Sequence, residues 1–196
     1  MTDETIEDHR HTAVLQLDIQ GTPQAWITAE QAAVCHAMNA VAWVDGAGPL
    51  RTLRGGWNAA TGRRSEIEIY PIMALHGAAR VNLFDIVPAV TRRKLFRRDR
   101  HVCAYCGGRF GERVLQAEHI VPESRGGAWS WMNLVTACGP CNGRKAARTP
   151  EEARMPLLYL PYVPNRYEDF LLAGRNIRAD VHEWLAARLA KNSRLS

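Results

Sequence analysis

Two Cys-x-x-Cys pairs, Cys103/Cys106 and Cys138/Cys141, stand 31 residues apart in a chain of 196. A Cys-x-x-Cys turn brings two thiolates to one ion, and two such turns complete a tetrahedral shell, for which zinc is the default metal. The gap is longer than the usual zinc-ribbon spacing, so the insert must carry structure of its own. Two disulfides or a redox Cys-x-x-Cys are the competing uses. Nothing in the chain points to the oxidising compartment that disulfides need. The expectation is therefore a structural Zn²⁺ held by all four cysteines.

Inside the insert, Val114-Leu115-Gln116-Ala117-Glu118-His119-Ile120-Val121-Pro122 has strand character and is ended by the proline. Alternation places Glu118 and His119 on opposite faces of a regular strand. Both serve one site only if the backbone distorts there or the two converge around a bound ion. Gly126-Gly127 opens a loop that Trp129 and Trp131 can pin, and Asn133-Leu134-Val135 leads into the second pair. Residues 139–147 suit a short helix starting at the second knuckle. It would carry Asn142 and Lys145, three apart, on one side.

Taken together and in order, these residues resemble the HNH endonucleases of the ββα-metal fold, in their zinc-stapled four-cysteine form. The matching signature is Cys103-x-x-Cys106, Glu118-His119-Ile120-x-Pro122, Gly126-Gly127, Asn133-Leu134, Cys138-x-x-Cys141-Asn142 and Lys145. The resemblance is dense over residues 97–150. It extends more loosely to Val14-Leu15-x-Leu17-Asp18 and Leu95-Phe96-x-Arg98-Asp99, which look like the N-terminal part of one bacterial branch. Glu118 stands where the family most often has Asp, and Asn142 replaces the last histidine of the family name. Both still offer oxygen ligands. The resemblance implies that Asn133 bridges the loop backbone so that His119 points correctly.

Cleaving a phosphodiester requires an activated water, charge relief on the phosphate and help for the departing 3′ oxygen. A neutral imidazole is a suitable general base, and His119 is the candidate. Glu118 and Asn142 supply hard oxygen ligands that suit Mg²⁺ or Mn²⁺ with open water positions. The longer Glu118 side chain could shift preference toward Mn²⁺ or Ni²⁺. Taken alone, Glu118-His119 would be an ordinary surface pair on a strand; the cysteine frame around it changes that reading.

Charge supports a nucleic-acid partner. Between Arg92 and Arg148 there are twelve Lys or Arg against four Asp or Glu, although the whole chain carries only +5. Clustered cations bind phosphates by releasing counterions, with little sequence preference. Arg92, Arg93, Arg97, Arg98, Arg125, Arg144, Lys145 and Arg148 are the phosphate candidates as a group; a solvated helix face is the plain alternative for any one of them. DNA is the expected partner, with RNA left open. No apolar run approaches a membrane span. The polar, acidic start is unlike a signal peptide, which with free thiols suits a reducing cytoplasm. The fifth cysteine, Cys35, reads as a buried inert thiol.

Along the rest of the chain an acidic tail runs to Thr12 and a strand covers residues 13–19. A short strand at 24–27 precedes a helix capped by the Thr28/Gln31 box. Strands follow at 41–44 and 65–70, and residues 72–75 can continue the second. Residues 49–64, with Gly55-Gly56 and Gly62, read mostly as loop or weak strand. His36, His76 and Asp85 are isolated polar residues. A helix over 91–100 has Thr91 as its cap, its arginines outside, and Leu95 and Phe96 under the zinc knuckle. Thr149-Pro150-Glu151-Glu152 starts a short helix. Residues 157–163 make an apolar strap, residues 167–173 a short helix and residues 176–191 an amphipathic one.

The fold expected is α+β: a small α+β N-terminal part over residues 1–90, an HNH ββα-metal core with its four-cysteine zinc site over 91–155, and a helical extension over 156–196. The activity expected is metal-dependent hydrolysis of DNA by a monomer or homodimer. A zinc-containing nucleic-acid-binding module with weak or absent catalysis is the alternative.

Overall fold

The computed structural model describes residues 13–77, 86–191 and 193–195, in two compact units. The acidic N-terminal stretch and Asp85 lie outside the described residues. The first unit joins the N-terminal region to residues 174–187; the second holds residues 86–173 and the C-terminal residues from Arg188.

In the first unit, β1 (Ala13–Leu17) pairs antiparallel with β2 (Pro23–Thr28), whose end caps α1 (Ala29–Ala37). The cap is a full capping box: Thr28 accepts from the Gln31 amide and Gln31 accepts from the Thr28 amide at 2.8 Å. β3 (Val41–Asp45), β4 (Arg51–Trp57), β5 (Arg64–Ile69) and β6 (Ile72–Leu75) follow. A four-stranded sheet runs β2-β1-β6-β3, and β4-β5 form a separate antiparallel ribbon. Residues 51–57 thus form a strand, the second of the two readings, loop or weak strand, that the sequence leaves for this region. β5 supplies the pairing partner, and the glycines are absorbed as a bulge between Arg54 and Trp57. Val14, Ala29, Ala32, Ile69 and Met73 form the apolar core between α1 and the strands. The last helix, Ala179–Ala186, belongs to this unit, and its Asp180 accepts from the Ala47 amide at 2.9 Å.

In the second unit, α2 (Arg92–Arg98) is capped by Thr91. β7 (Leu115–His119) pairs antiparallel with β8 (Leu134–Cys138), with Leu115 opposite Cys138 and His119 opposite Leu134. Cys138 is also the N-cap of α3 (Gly139–Lys145), which makes a ββα unit. α4 (Pro150–Ala153) and α5 (Arg166–Ala173) complete it. Leu95 packs with Trp131, Leu134 and Leu172 rather than under the knuckle, whose own cluster is Cys103, Ala137 and Cys138 with Tyr105 and Phe110 alongside.

The strap over 157–163 lies on the first knuckle: the Leu158 amide donates to Ala104 O at 2.8 Å and the Tyr159 hydroxyl to Val102 O at 2.9 Å. Arg98 is not an outward arginine. It is 0% exposed and donates to Asp99, Trp131 O, Leu134 O and Tyr162 O. Asp99 in turn accepts from the Thr136 amide at 2.9 Å. A buried charge persists only when paired and hydrogen-bonded, and this pair ties α2, β8 and the strap together. Among the described residues, no helix is long and apolar enough to cross a membrane.

Candidate metal centre and active site

The knuckles converge. The four cysteine sulfurs lie within 4.8 Å of one another, and Cys106 Sγ is 3.9 Å from Cys138 Sγ. A tetrahedron with Zn–S bonds of about 2.3 Å has edges of about 3.8 Å, whereas a disulfide needs about 2.05 Å. No cysteine is in a disulfide, and the cluster fits a structural zinc site. Burial opposes ionisation of Cys103, but backbone N–H groups of Cys106, Cys138 and Tyr105 hold its thiol down at about 7. Burial, then the Cys138 side chain and the charge on Cys103, pushes the Cys141 thiol up. Thiols crowded this closely ionise together only around a cation.

From the second knuckle, α3 runs alongside β7, and two side-chain rungs join them. Gln116 Oε1 accepts from Asn142 Nδ2 at 2.6 Å. Glu118 Oε1 accepts from Lys145 Nζ at 2.6 Å, and Lys145 also donates to His119 O at 2.7 Å. The spacing explains the pairing: Gln116 and Glu118 are two apart on a strand, Asn142 and Lys145 three apart on a helix, and each pair shares a face. Lys145 is 0% exposed. It therefore has no surface to offer a phosphate, and its charge is spent on Glu118 and the end of β7.

The next strand position turns the other way. His119 is half-buried, with its ring centroid 5.7 Å from that of Trp129 in an edge-to-face contact. Trp129 is 49% exposed and donates to Val90 O at 3.4 Å. Beyond His119 the loop is tied by Asn133, whose Oδ1 accepts from the Val121 amide at 2.9 Å. Its Nδ2 donates to Val121 O and Ala128 O at 3.1 and 3.0 Å. Gly127 is required by this closure. A Cβ there would lie 1.8 Å from Val121 O, a backbone atom that cannot swing away. Gly126, at φ +83°, ends the turn Glu123–Arg125.

Glu118 and Asn142 carry oxygen donors of the kind that hard divalent ions take. Glu118 retains a second carboxylate oxygen besides the one Lys145 holds, and the Gln116 bond fixes the Asn142 amide so that its oxygen remains as an acceptor. The Tyr105 hydroxyl is buried without a hydrogen-bond partner among the described residues. Burial and then the Glu118 charge raise its pKa far above the usual phenol range.

The cationic candidates divide. Arg92, Arg144 and Arg148 are exposed and Arg93 is half-buried. Arg148 donates to the carbonyls of Arg144 and Lys145, closing the C-terminus of α3. Arg97 donates to Leu172 O at 2.8 Å, and Arg125 is held bidentately by Glu152 at 2.7 and 2.8 Å. Arg98 and Lys145 are interior. Gln116 was not singled out from the sequence, although its place two residues before Glu118 on one strand face was a sufficient signal. Arg100, Arg109 and Arg113 are further exposed cations of the same unit.

No curated protein matches the chain. Residues 103–158, from the first cysteine into the strap, match the model of the HNH endonuclease family.

Proposed function

We propose that the protein is a metal-dependent endonuclease that hydrolyses DNA phosphodiester bonds, with His119 as the general base. The observation that carries this reading is the setting of His119 within the family-matched segment: half-buried at the end of β7, braced by Trp129 and followed by a loop clamped through Asn133.

Histidine is the side chain whose ordinary pKa lies nearest neutrality, so the imidazole can take a proton from an attacking water. Trp129 and Asn133 fix where that imidazole points, and fixed geometry converts an encounter into a near-unimolecular step. Glu118 and Asn142 would hold Mg²⁺ or Mn²⁺. Such an ion, when bound, relieves charge on the phosphate and on the departing 3′ oxygen. Lys145 aims the Glu118 carboxylate and anchors His119 O, so one residue sets both sides of the strand end. The exposed arginines of the unit supply phosphate affinity, and the zinc knuckles hold β8 and α3 in register.

The test is nicking of supercoiled plasmid by zinc-loaded protein with Mg²⁺ or Mn²⁺ or with chelator, beside His119→Ala of verified zinc content. Nicked circles are expected only with metal and only from the unsubstituted protein. If neither protein cuts plasmid, branched or modified DNA while both bind it, catalysis is refuted and a nucleic-acid-binding module remains. Cleavage by His119→Ala at the full rate would remove the general-base role alone.

A further inference from the structure

The β4-β5 ribbon of the first unit has no part in the chemistry above. Its two faces differ. Leu53, Ile67 and Ile69 turn into the apolar core with α1. The register sets the other face: Arg54 pairs opposite Glu66, and Trp57 opposite Arg64. Arg64 and Glu66 are two apart on β5, so Arg54, Trp57, Arg64 and Glu66 all point away from the core. The bulge is what brings Trp57 there. Were the strand regular through Gly55-Gly56, Trp57 would fall on the face of Leu53. A Cβ on Gly55 would lie 2.3 Å from Ser65 Oγ, which would have to rotate away. Arg64 Nε closes it by donating to Gly55 O at 2.8 Å.

The tip is ordered rather than loose. The Asn58 amide donates to Arg63 O and the Gly62 amide to Asn58 O, both at 2.8 Å. Asn58 Oδ1 accepts from the amides of Ala60 and Thr61 at 2.9 and 3.0 Å. Trp57 beside this tip is 74% exposed. Residues 54–65 contain Arg54, Arg63 and Arg64 and no acidic residue; Arg54 is paired with Glu66 at 3.0 Å, while Glu66 and Glu68 lie toward the root. Charge at the end of the ribbon is therefore positive, next to a large exposed ring.

We infer that this ribbon is a second DNA-binding element. It would enter a groove of duplex DNA with Arg63 and Arg64 on phosphates and Trp57 as an apolar wedge against the bases. A two-stranded ribbon has the width the major groove admits, inserted apolar side chains recur among architectural DNA binders, and a pre-ordered tip loses little entropy on binding. The choice of DNA rests on the nuclease reading. The ribbon's own chemistry, arginines with one exposed indole, suits a polyanion with π faces.

The experiment uses the full-length, zinc-loaded protein and a short fluorescein-labelled duplex, without Mg²⁺ or Mn²⁺, across a salt series. Arg63→Gln with Arg64→Gln should weaken binding about tenfold and lower the slope of log affinity against log salt by about 2. Trp57→Ala should weaken binding about tenfold with the slope unchanged. Thr61→Lys, which adds a charge to the exposed tip, should strengthen binding, so a folding defect cannot imitate the full pattern. Wild-type affinity and slope in all three variants would overturn the inference. So would variants that bind DNA normally but change the sedimentation of the free protein, which would make the ribbon a contact between copies. Plasmid nicking separates this from the nuclease reading. Ribbon-dependent binding without nicking leaves the ribbon and removes the nuclease; nicking with unchanged binding does the reverse.

Discussion

The two units solve the same problem, ordering a short chain around a core, with different chemistry. The first uses apolar packing: Val14, Ala29, Ala32, Ile69 and Met73, with a sheet of alternating strands. The second uses a small apolar cluster around Trp131 and adds polar fasteners: a four-cysteine frame, the Arg98–Asp99 pair and the Lys145–Glu118 pair. Apolar burial is graded and forgiving, since its free energy scales with area. Buried charges and metal ligands are nearly all-or-none, because removing one partner leaves the other stranded. On the proposed nuclease reading, a unit that holds His119, Glu118 and Asn142 in fixed relation gains from the second strategy.

The largest effect expected is metal removal. Structural zinc contributes on the order of 10 kcal/mol of folding free energy in small metal-held domains. Chelation, or Cys138→Ser, should abolish near-ultraviolet circular dichroism from the environment of Trp131 while strand signal from the first unit persists. Loss of both signals in one transition would show that the units do not unfold separately and would break the contrast. Below that comes the matched pair of core substitutions. Arg98→Met leaves the buried Asp99 with the longer Arg194 contact at 3.4 Å and the Thr136 amide, and should cost about 3 kcal/mol. Ile69→Val in the first unit removes one methyl and should cost about 0.5–1.5 kcal/mol. Denaturant titration measures both, and equal costs would mean that Arg98 is ordinary packing.

The same contrast explains what the sequence could reveal. The cysteine spacing, Glu118-His119 and Asn142 are discrete chemical signals, and the sulfur cluster and the ββα order follow from them. The Thr28/Gln31 and Thr149/Glu152 boxes were legible for a similar reason, because the cap is a local hydrogen-bond pattern. Arg98 and Lys145 read as outward because helical arginines and lysines usually are, and only tertiary partners reverse that. For Arg98 the partners are carbonyls 33, 36 and 64 residues away. Residues 51–57 read as loop or weak strand because two glycines weaken a strand, and the bulge that absorbs them faces Ser65 and Arg64 across the ribbon. Local chemistry is written in neighbours; tertiary pairing is not.

The smallest effect sets one motif in both settings. Gln31 closes the α1 box with a neutral amide, and Glu152 closes the α4 box with a carboxylate that also holds Arg125. Thr28→Ala should cost about 1 kcal/mol, the ordinary worth of an N-cap. Glu152→Gln makes the second box resemble the first: the Thr149 amide keeps an acceptor while the charge-assisted grip on Arg125 is lost. The resulting fall in melting temperature should shrink as NaCl is added, because an exposed ion pair is screened. The Arg125 guanidinium, and then the Thr149 amide, hold the Glu152 carboxyl below the usual carboxylate range. A depressed folded pKa means that this contribution is fully present above the ordinary carboxylate value and fades as pH falls through the depressed one, where the Gln31 box should show no such step. Salt-independent destabilisation by Glu152→Gln would mean that the carboxylate acts as shape and hydrogen-bond acceptor alone. Polar fastening would then be confined to the interior of the second unit, leaving its surface governed by the same rules as the first.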